Sequence, residues 1–220
     1  MMNQYITVRS SGSAEFIISR SRFIGYAAPC SSEEEALSFL QSVRDLHRDA
    51  THHCYAYIIG ANSGIMRYSD DGEPGGTAGL PIMDVMRSAD VVNCCVVVVR
   101  YFGGTLLGTG GLVRSYTQGC KIALDAAHLV RMELTSHNLC EVPYSCWDLV
   151  LHAARDLPVR ISNPEFSVAV SFTLAVRSSD RDRVIEILHN ITSRRIEIIP
   201  DSEAYEPWDI NDQASYGSKI

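Results

Sequence analysis

Two stretches hold most of the side chains and backbone that can do chemistry. The first is Asp70-Asp71-Gly72-Glu73-Pro74-Gly75-Gly76-Thr77-Ala78-Gly79-Leu80-Pro81. The second is Arg100-Tyr101-Phe102-Gly103-Gly104-Thr105-Leu106-Leu107-Gly108-Thr109-Gly110-Gly111. Glycine costs conformational entropy on folding, so this density of it marks positive φ or a close backbone approach. The second stretch leads straight into an expected helix, whose first free N–H groups can hold an anion. Gly103, Gly104, Gly108, Gly110 and Gly111 can cradle a phosphate or an RNA backbone, with Arg100 or Arg114 as charge partner. Gly103 to Gly108 has the spacing of a phosphate-binding loop, but Thr109 and Gly110 stand where that motif requires a lysine and a hydroxyl residue. No strict G-x-G-x-x-G occurs. A purely structural turn outweighs the phosphate contact, and both outweigh a nucleotide cofactor.

The acids of the first stretch, Asp70, Asp71 and Glu73, can bind a divalent cation or act in acid/base chemistry. The spacing of a calcium loop is absent. The stronger reading is a turn at Asp70-Asp71-Gly72, with one carboxylate paired to an arginine such as Arg100. His52, His53 and Cys54 invite a metal or a thiol nucleophile. On a strand, His52 and Cys54 share one face and His53 takes the other. Two ligands do not close a zinc site, so a satisfied core or edge histidine is preferred. Tyr101-Phe102 can stack bases, although aromatics after a buried strand more often belong to the core. There is no G-x-S-x-G, no H-E-x-x-H and no triad order. The residues therefore assign no catalytic group, no metal site and no cofactor.

Elements must position these loops. Tyr5–Val8, Ala14–Ile18 and Phe23–Ala27 read as strands. Ser31 or Ser32 caps a helix that begins Glu33-Glu34-Glu35, with Ala36, Leu37, Leu40, Val43 and Leu46 as its apolar face. His53–Ile59 and Ile65–Tyr68 are strands around the turn Gly60–Gly64. Ile82–Ala89 is a helix. Cys94–Val99 is a short, continuous, β-branched run that fits a strand covered on both faces. A long helix runs from Gly110 or Gly111 to about Leu129. Beyond it come a strand Glu133–Tyr144, a helix Ser145–Leu157, a strand Val159–Ser162 and a turn Asn163-Pro164-Glu165. A strand Phe166–Val176 follows, with Val168, Val170, Phe172 and Leu174 on one side. The series closes with a helix Asp180–Asn190, capped by Ser178 or Ser179, and a strand Arg195–Ile199. That second series is βαββαβ, the ferredoxin-like split βαβ. Three segments result: 1–133, 134–205 and an acidic tail 206–220, in which Trp208 can pin part of the chain. The first boundary falls near Glu133, inside a continuous strand.

The length, 220 residues, suits one large or two small domains, and 46% hydrophobic residues suffice for a substantial core. No run of 18 apolar residues occurs, so no membrane-spanning helix is expected. The start, Met1-Met2-Asn3-Gln4-Tyr5, lacks a signal-peptide pattern, and the expected location is the cytoplasm. Seven cysteines with no C-x-x-C pair read as small buried hydrophobes in a reducing compartment. Cys94 and Cys95 must point to opposite strand faces. A net charge of −7 argues against broad nucleic-acid binding through the global field. Part of that charge lies in the stretch from Asp201 to Ile220, where Asp201, Glu203, Glu206, Asp209 and Asp212 face only Lys219. All basic residues but Lys121 and Lys219 are arginine, the side chain suited to bidentate phosphate or carboxylate recognition.

Asp70-Asp71-Gly72-Glu73-Pro74, Ala78-Gly79-Leu80-Pro81 and Val99-Arg100-Tyr101-Phe102-Gly103-Gly104-Thr105-Leu106-Leu107-Gly108 resemble the signature of the IMPACT/YigZ family, as does Thr51-His52-His53-Cys54-Tyr55-Ala56-Tyr57. The match covers residues 10 to 130, and the second domain fits the smaller domain of bacterial YigZ-type members. The resemblance implies an α/β (α+β) fold. Its N-terminal domain would be like the second domain of a small-subunit ribosomal protein, and its C-terminal domain like those of elongation factor G. Eukaryotic relatives regulate translation by competing with a general-control kinase for its activator protein. Bacteria lack that pathway, so the partner does not transfer, and neither does any catalytic residue.

The resulting expectation is a non-catalytic binding protein of translation or its regulation, contacting RNA, the ribosome or a translation-related protein through the glycine loops, and no membrane. One rival is a small-molecule or metal-dependent enzyme using Asp70, Asp71, Glu73 and His52. A second is a protein-only adaptor.

Overall fold

A computed structural model of the chain describes residues 4–210. Contacts divide the chain into two units, residues 1–131 and 132–220.

The first unit is built on the apolar run. β6 (Cys94–Tyr101) is the middle strand of a five-stranded antiparallel sheet. The other strands are β2 (Gly12–Ile18), β3 (Ser21–Pro29), β4 (His52–Ile59) and β5 (Ile65–Ser69), in the order β2-β3-β6-β4-β5. Cys94, Val96 and Val98 face one layer of the core, and Cys95, Val97 and Val99 face the other. Burial on both faces explains why this strand has no polar alternation. Each fully buried valine contributes about 2 kcal/mol of transfer free energy.

α1 (Glu33–Leu46) covers one face. Ser32 Oγ accepts from the Glu35 N–H, and Glu33, Glu34 and Glu35 lie in the positive first turn. Ala36, Leu40 and Val43 form its buried line. Leu37 and Leu46, expected on that face, are exposed. α2 (Gly79–Ser88) and α3 (Gly108–Ala127) cover the opposite face. α3 begins at Gly108, before the expected Gly110. It packs closely on the sheet: a Cβ at Gly25 would stand 2.1 Å from the Gly119 carbonyl oxygen. Only glycine permits that helix-to-strand approach. β1 (Gln4–Val8) joins this unit through the bridge of Ile6 to Val91.

The second unit has the order βαββαβ. β7 (Leu129–Val142) crosses the unit boundary as one continuous strand. α4 (Tyr144–Ala154), β8 (Val159–Phe166), β9 (Val170–Arg177), α5 (Arg181–Ile191) and β10 (Glu197–Asp209) follow. The strand order β10-β7-β9-β8, with β9 antiparallel to both neighbours, is that of a ferredoxin-like sheet. Val170, Phe172, Leu174 and Val176 of β9 share the core with Cys146, Val150, Val184 and Leu188 of the helices.

The structure corrects several expectations in this unit. Asn163-Pro164-Glu165 is an irregularity inside β8, with a register shift between Ser162 and Glu165 and φ of 51° at Asn163. The turn lies later, and Val168, placed with the core face, is fully exposed. α5 is preceded by Asp180, and neither Ser178 nor Ser179 caps it. β10 continues through Glu206 to Asp209, which the sequence assigns to the tail. Within it, buried Trp208 donates its indole N–H to Thr135 Oγ1 at 2.9 Å. Residues 211–220 of the expected tail lie outside the described residues.

Candidate functional site

The end of β6, the start of β4 and both glycine stretches meet on the α2–α3 face of the first unit. Glu73 is the junction. Its Oε1 accepts from Arg100 Nη1 at 2.7 Å and from the Tyr116 hydroxyl at 2.7 Å. His52 Nε2 stands 3.9 Å from the same oxygen. Arg100 lies between the rings of Phe23 and Phe102, 5.5 and 5.4 Å from their centroids. Its Nη2 donates to Ser21 Oγ at 3.5 Å, while its Nε is buried without a hydrogen-bond partner among the described residues. Only 5% of Arg100 and 8% of Glu73 are exposed. Thus the guanidinium named as a phosphate partner faces inward and neutralises a loop carboxylate.

Asp70 consumes the anion-binding capacity of the first stretch. Its Oδ1 accepts from the N–H groups of Ala78 and Gly79 at 3.0 and 2.8 Å, and its Oδ2 from that of Gly76 at 2.8 Å. These donors open α2, so the chain supplies its own carboxylate to the positive helix end. Asp71 takes φ of 43°, and Gly72 φ of 87°. The Asp71 Oδ2 accepts the His53 N–H at 2.6 Å. Arg44 Nη2 lies 3.6 Å from Asp71 Oδ1.

His52 Nδ1 donates to the Asp71 carbonyl at 2.8 Å, which fixes the proton on that nitrogen. Cys54 donates its thiol hydrogen to the Asp70 carbonyl at 3.0 Å, and burial raises its pKa far above that of a reactive thiol. Burial likewise holds the Tyr116 hydroxyl protonated. A carboxylate with two donors, a protonated thiol and a protonated phenol make an anchor, not a nucleophile with a base. Among the described residues, no group of three His, Cys, Asp or Glu side chains is placed to hold a metal. Two clefts of about 620 and 840 Å³ lie in this unit, and Asp70, Asp71, Glu73 and His52 line neither.

The second glycine stretch differs. Gly103 is the fixed point: its N–H donates to Ser21 Oγ at 3.1 Å, and a Cβ there would stand 2.0 Å from the Arg20 carbonyl carbon. The loop from Gly104 to Leu106 and the first residues of α3 are open. Gly104 and Gly108 adopt φ of 81° and 69°, a Cβ on either would point into open space, and Leu106 is 87% exposed. Leu107 precedes α3 without a side-chain cap, and no acid lies in the first turn. Gly110 and Gly111 sit in that turn. A Cβ on Gly110 would be 3.7 Å from Arg114 Nη1, so this guanidinium overlies the helix start. Arg114 is exposed, and its guanidinium has no ion-pair or hydrogen-bond partner among the described residues.

Sequence reasoning misses Ser21 and Tyr116 as polar partners. Tyr116 reads as helix core, and its buried face is the right signal, but the hydroxyl's target is set by tertiary packing. Ser21 sits in a hairpin with no motif around it.

Residues 19–124, the span that carries both loops, match the family described as the Impact N-terminal domain. The chain belongs to the IMPACT family. Its relatives include IMPACT family member YvyE of Bacillus subtilis, 33% identical over 90% of this chain and 91% of that protein. IMPACT family member YigZ of Escherichia coli is 49% identical over 49% of this chain and 53% of that one. Protein IMPACT homolog of Saccharomyces cerevisiae is 34% identical over 40% and 35%. A solved structure titled as a hypothetical protein aligns at a TM-score of 0.58 and 29% identity, covering 92% of this chain and 99% of the other.

Proposed function

We propose that this chain is a non-catalytic binding protein of translation or its regulation, and that it contacts RNA through the second glycine loop. One contrast supports this reading. The N–H donors that open α2 are filled by Asp70, whereas among the described residues those that open α3 meet no side chain and lie beside an arginine whose guanidinium has no partner. A backbone phosphate placed there would meet helix N–H groups and the Arg114 guanidinium together. Membership in a family whose eukaryotic relatives regulate translation agrees with it. Arg100 has no part in the contact and serves to hold the loops in place.

A second reading, a protein partner, draws on the exposed Phe102, Leu106 and Ile17 near the same loop. One experiment separates the two. The tagged protein is captured from cell extract at moderate salt, with and without RNase. Recovery of ribosomal RNA or ribosomal proteins that is lost on RNase treatment supports the RNA reading; recovery that survives it favours the protein partner. Arg114→Ala should weaken RNA binding and reduce the salt slope by about 1, as expected for one phosphate contact. Unchanged affinity and slope would remove this site from the reading.

A further inference from the structure

The larger of the two clefts, about 840 Å³, lies at the C-terminal half of α2 and is lined by two arginines, Arg87 and Arg131. Arg87 is in the last turn of α2, and Arg131 is the third residue of β7. Neither guanidinium makes an ion pair or a hydrogen bond among the described residues. Arg131 is half-buried. A guanidinium partly withdrawn from water without a counter-charge has lost hydration and gained nothing in return. Buried Arg100 shows the usual resolution, a carboxylate at 2.7 Å. Here the cleft holds two acids, Asp84 and Asp90, yet neither comes within ion-pairing distance of either arginine. The floor is apolar, formed in part by fully buried Ile58 and Val91.

We propose that this cleft binds a small organic phosphate of about mononucleotide size. Arg87 and Arg131 take the phosphate oxygens, for which a guanidinium fork is shaped. Asp84 and Asp90 accept hydrogen bonds from the amino or hydroxyl groups of the ligand. The apolar floor carries a flat ring. The cleft's volume lies in the range that encloses a small organic molecule and far exceeds a bare anion. This site is separate from the RNA contact proposed above and goes beyond it.

The test is calorimetric titration of the full chain with adenosine monophosphate, and with adenosine as the phosphate-free control. Saturable binding of the monophosphate, at least tenfold tighter than adenosine, is expected. Arg87→Gln and Arg131→Gln should each weaken it about tenfold, while Arg48→Gln, at an exposed site away from the cleft, leaves it unchanged. Because Arg87 is exposed, Arg87→Gln keeps the fold, which circular dichroism checks. No binding of the monophosphate at millimolar concentration, equal binding of adenosine, or wild-type affinity in the arginine variants would each overturn the proposal. RNA affinity of Arg114→Ala is measured separately, so failure of one site is distinguishable from failure of the other.

Discussion

Glu73 Oε1 accepts from Arg100 and Tyr116, donors that stand 27 and 43 residues away in the chain. Removing one charge of this buried pair leaves the other unpaired, a cost of about 3 to 5 kcal/mol. Glu73→Gln is therefore expected to lower the urea midpoint strongly, and Tyr116→Phe to cost only about 1 kcal/mol. The double variant should destabilise by less than the sum, because both substitutions act on one oxygen. Full additivity in denaturant melts would show that the three groups do not act as a unit. The sequence offers Arg100 a carboxylate from the first stretch but does not choose among Asp70, Asp71 and Glu73. The choice follows from backbone geometry: Asp70 is taken by N–H groups at Gly76, Ala78 and Gly79, and Asp71 by that of His53. Gly103 belongs to the same scale. A Cβ there would meet the backbone of Arg20, not a movable side chain, so Gly103→Ala should destabilise by more than about 1 kcal/mol and displace the hairpin. A melting temperature equal to wild type would refute that expectation.

Among elements, those with a single dominant signal are legible. β6 is apolar on both faces because both faces are covered, and α1 starts where Ser32 and three glutamates say it should. Elements that break their own rules are not. β10 contains Pro200 and Pro207 amid acids, and its end from Glu206 reads as tail, yet it continues as a strand to Asp209. β8 hides Asn163-Pro164 as a local irregularity. The end of α1 shows what packing adds. His47 Nε2 meets the Tyr26 hydroxyl at 2.6 Å, and its Nδ1 meets that of Tyr101 at 2.8 Å. Tyr101 in turn donates to Asp49, so neutral His47 accepts from Tyr26 and donates to Tyr101, tying α1 to β3 and β6. Burial, reinforced by His53 and Arg22, lowers the His47 pKa. The folded state thus resists protonation that the unfolded chain accepts near pH ~6.5. The stabilisation is complete above that pH and declines as pH falls below it. Between pH 7 and 5 wild type should lose melting temperature more steeply than His47→Gln; parallel curves would exclude His47 as a source of acid sensitivity.

At the scale of the whole molecule, composition is informative because it reports on burial summed over the chain. Family signature and the βαββαβ order are both readable from residue patterns, whereas the difference between the two glycine stretches is not. That difference depends on where one carboxylate lands after folding. Cysteine usage is a further summed property. All seven cysteines are free and buried, distributed over both units. Burial raises the thiol of Cys30 to about 11 and that of Cys140 to about 12, and pushes Cys94 and Cys95 well above their usual range. The thiolate is the reactive form, so at pH 8 these groups combine a small thiolate fraction with no access. A disulfide reagent such as dithionitrobenzoate should label the native protein slowly, at a rate that rises with the opening of each unit, and should titrate all seven thiols at once in denaturant. Cys140 and Cys146 lie in the second unit and the other five in the first. Labelling in mild urea should then resolve into two groups if the units open separately, and a single phase for all seven thiols would show that they unfold together.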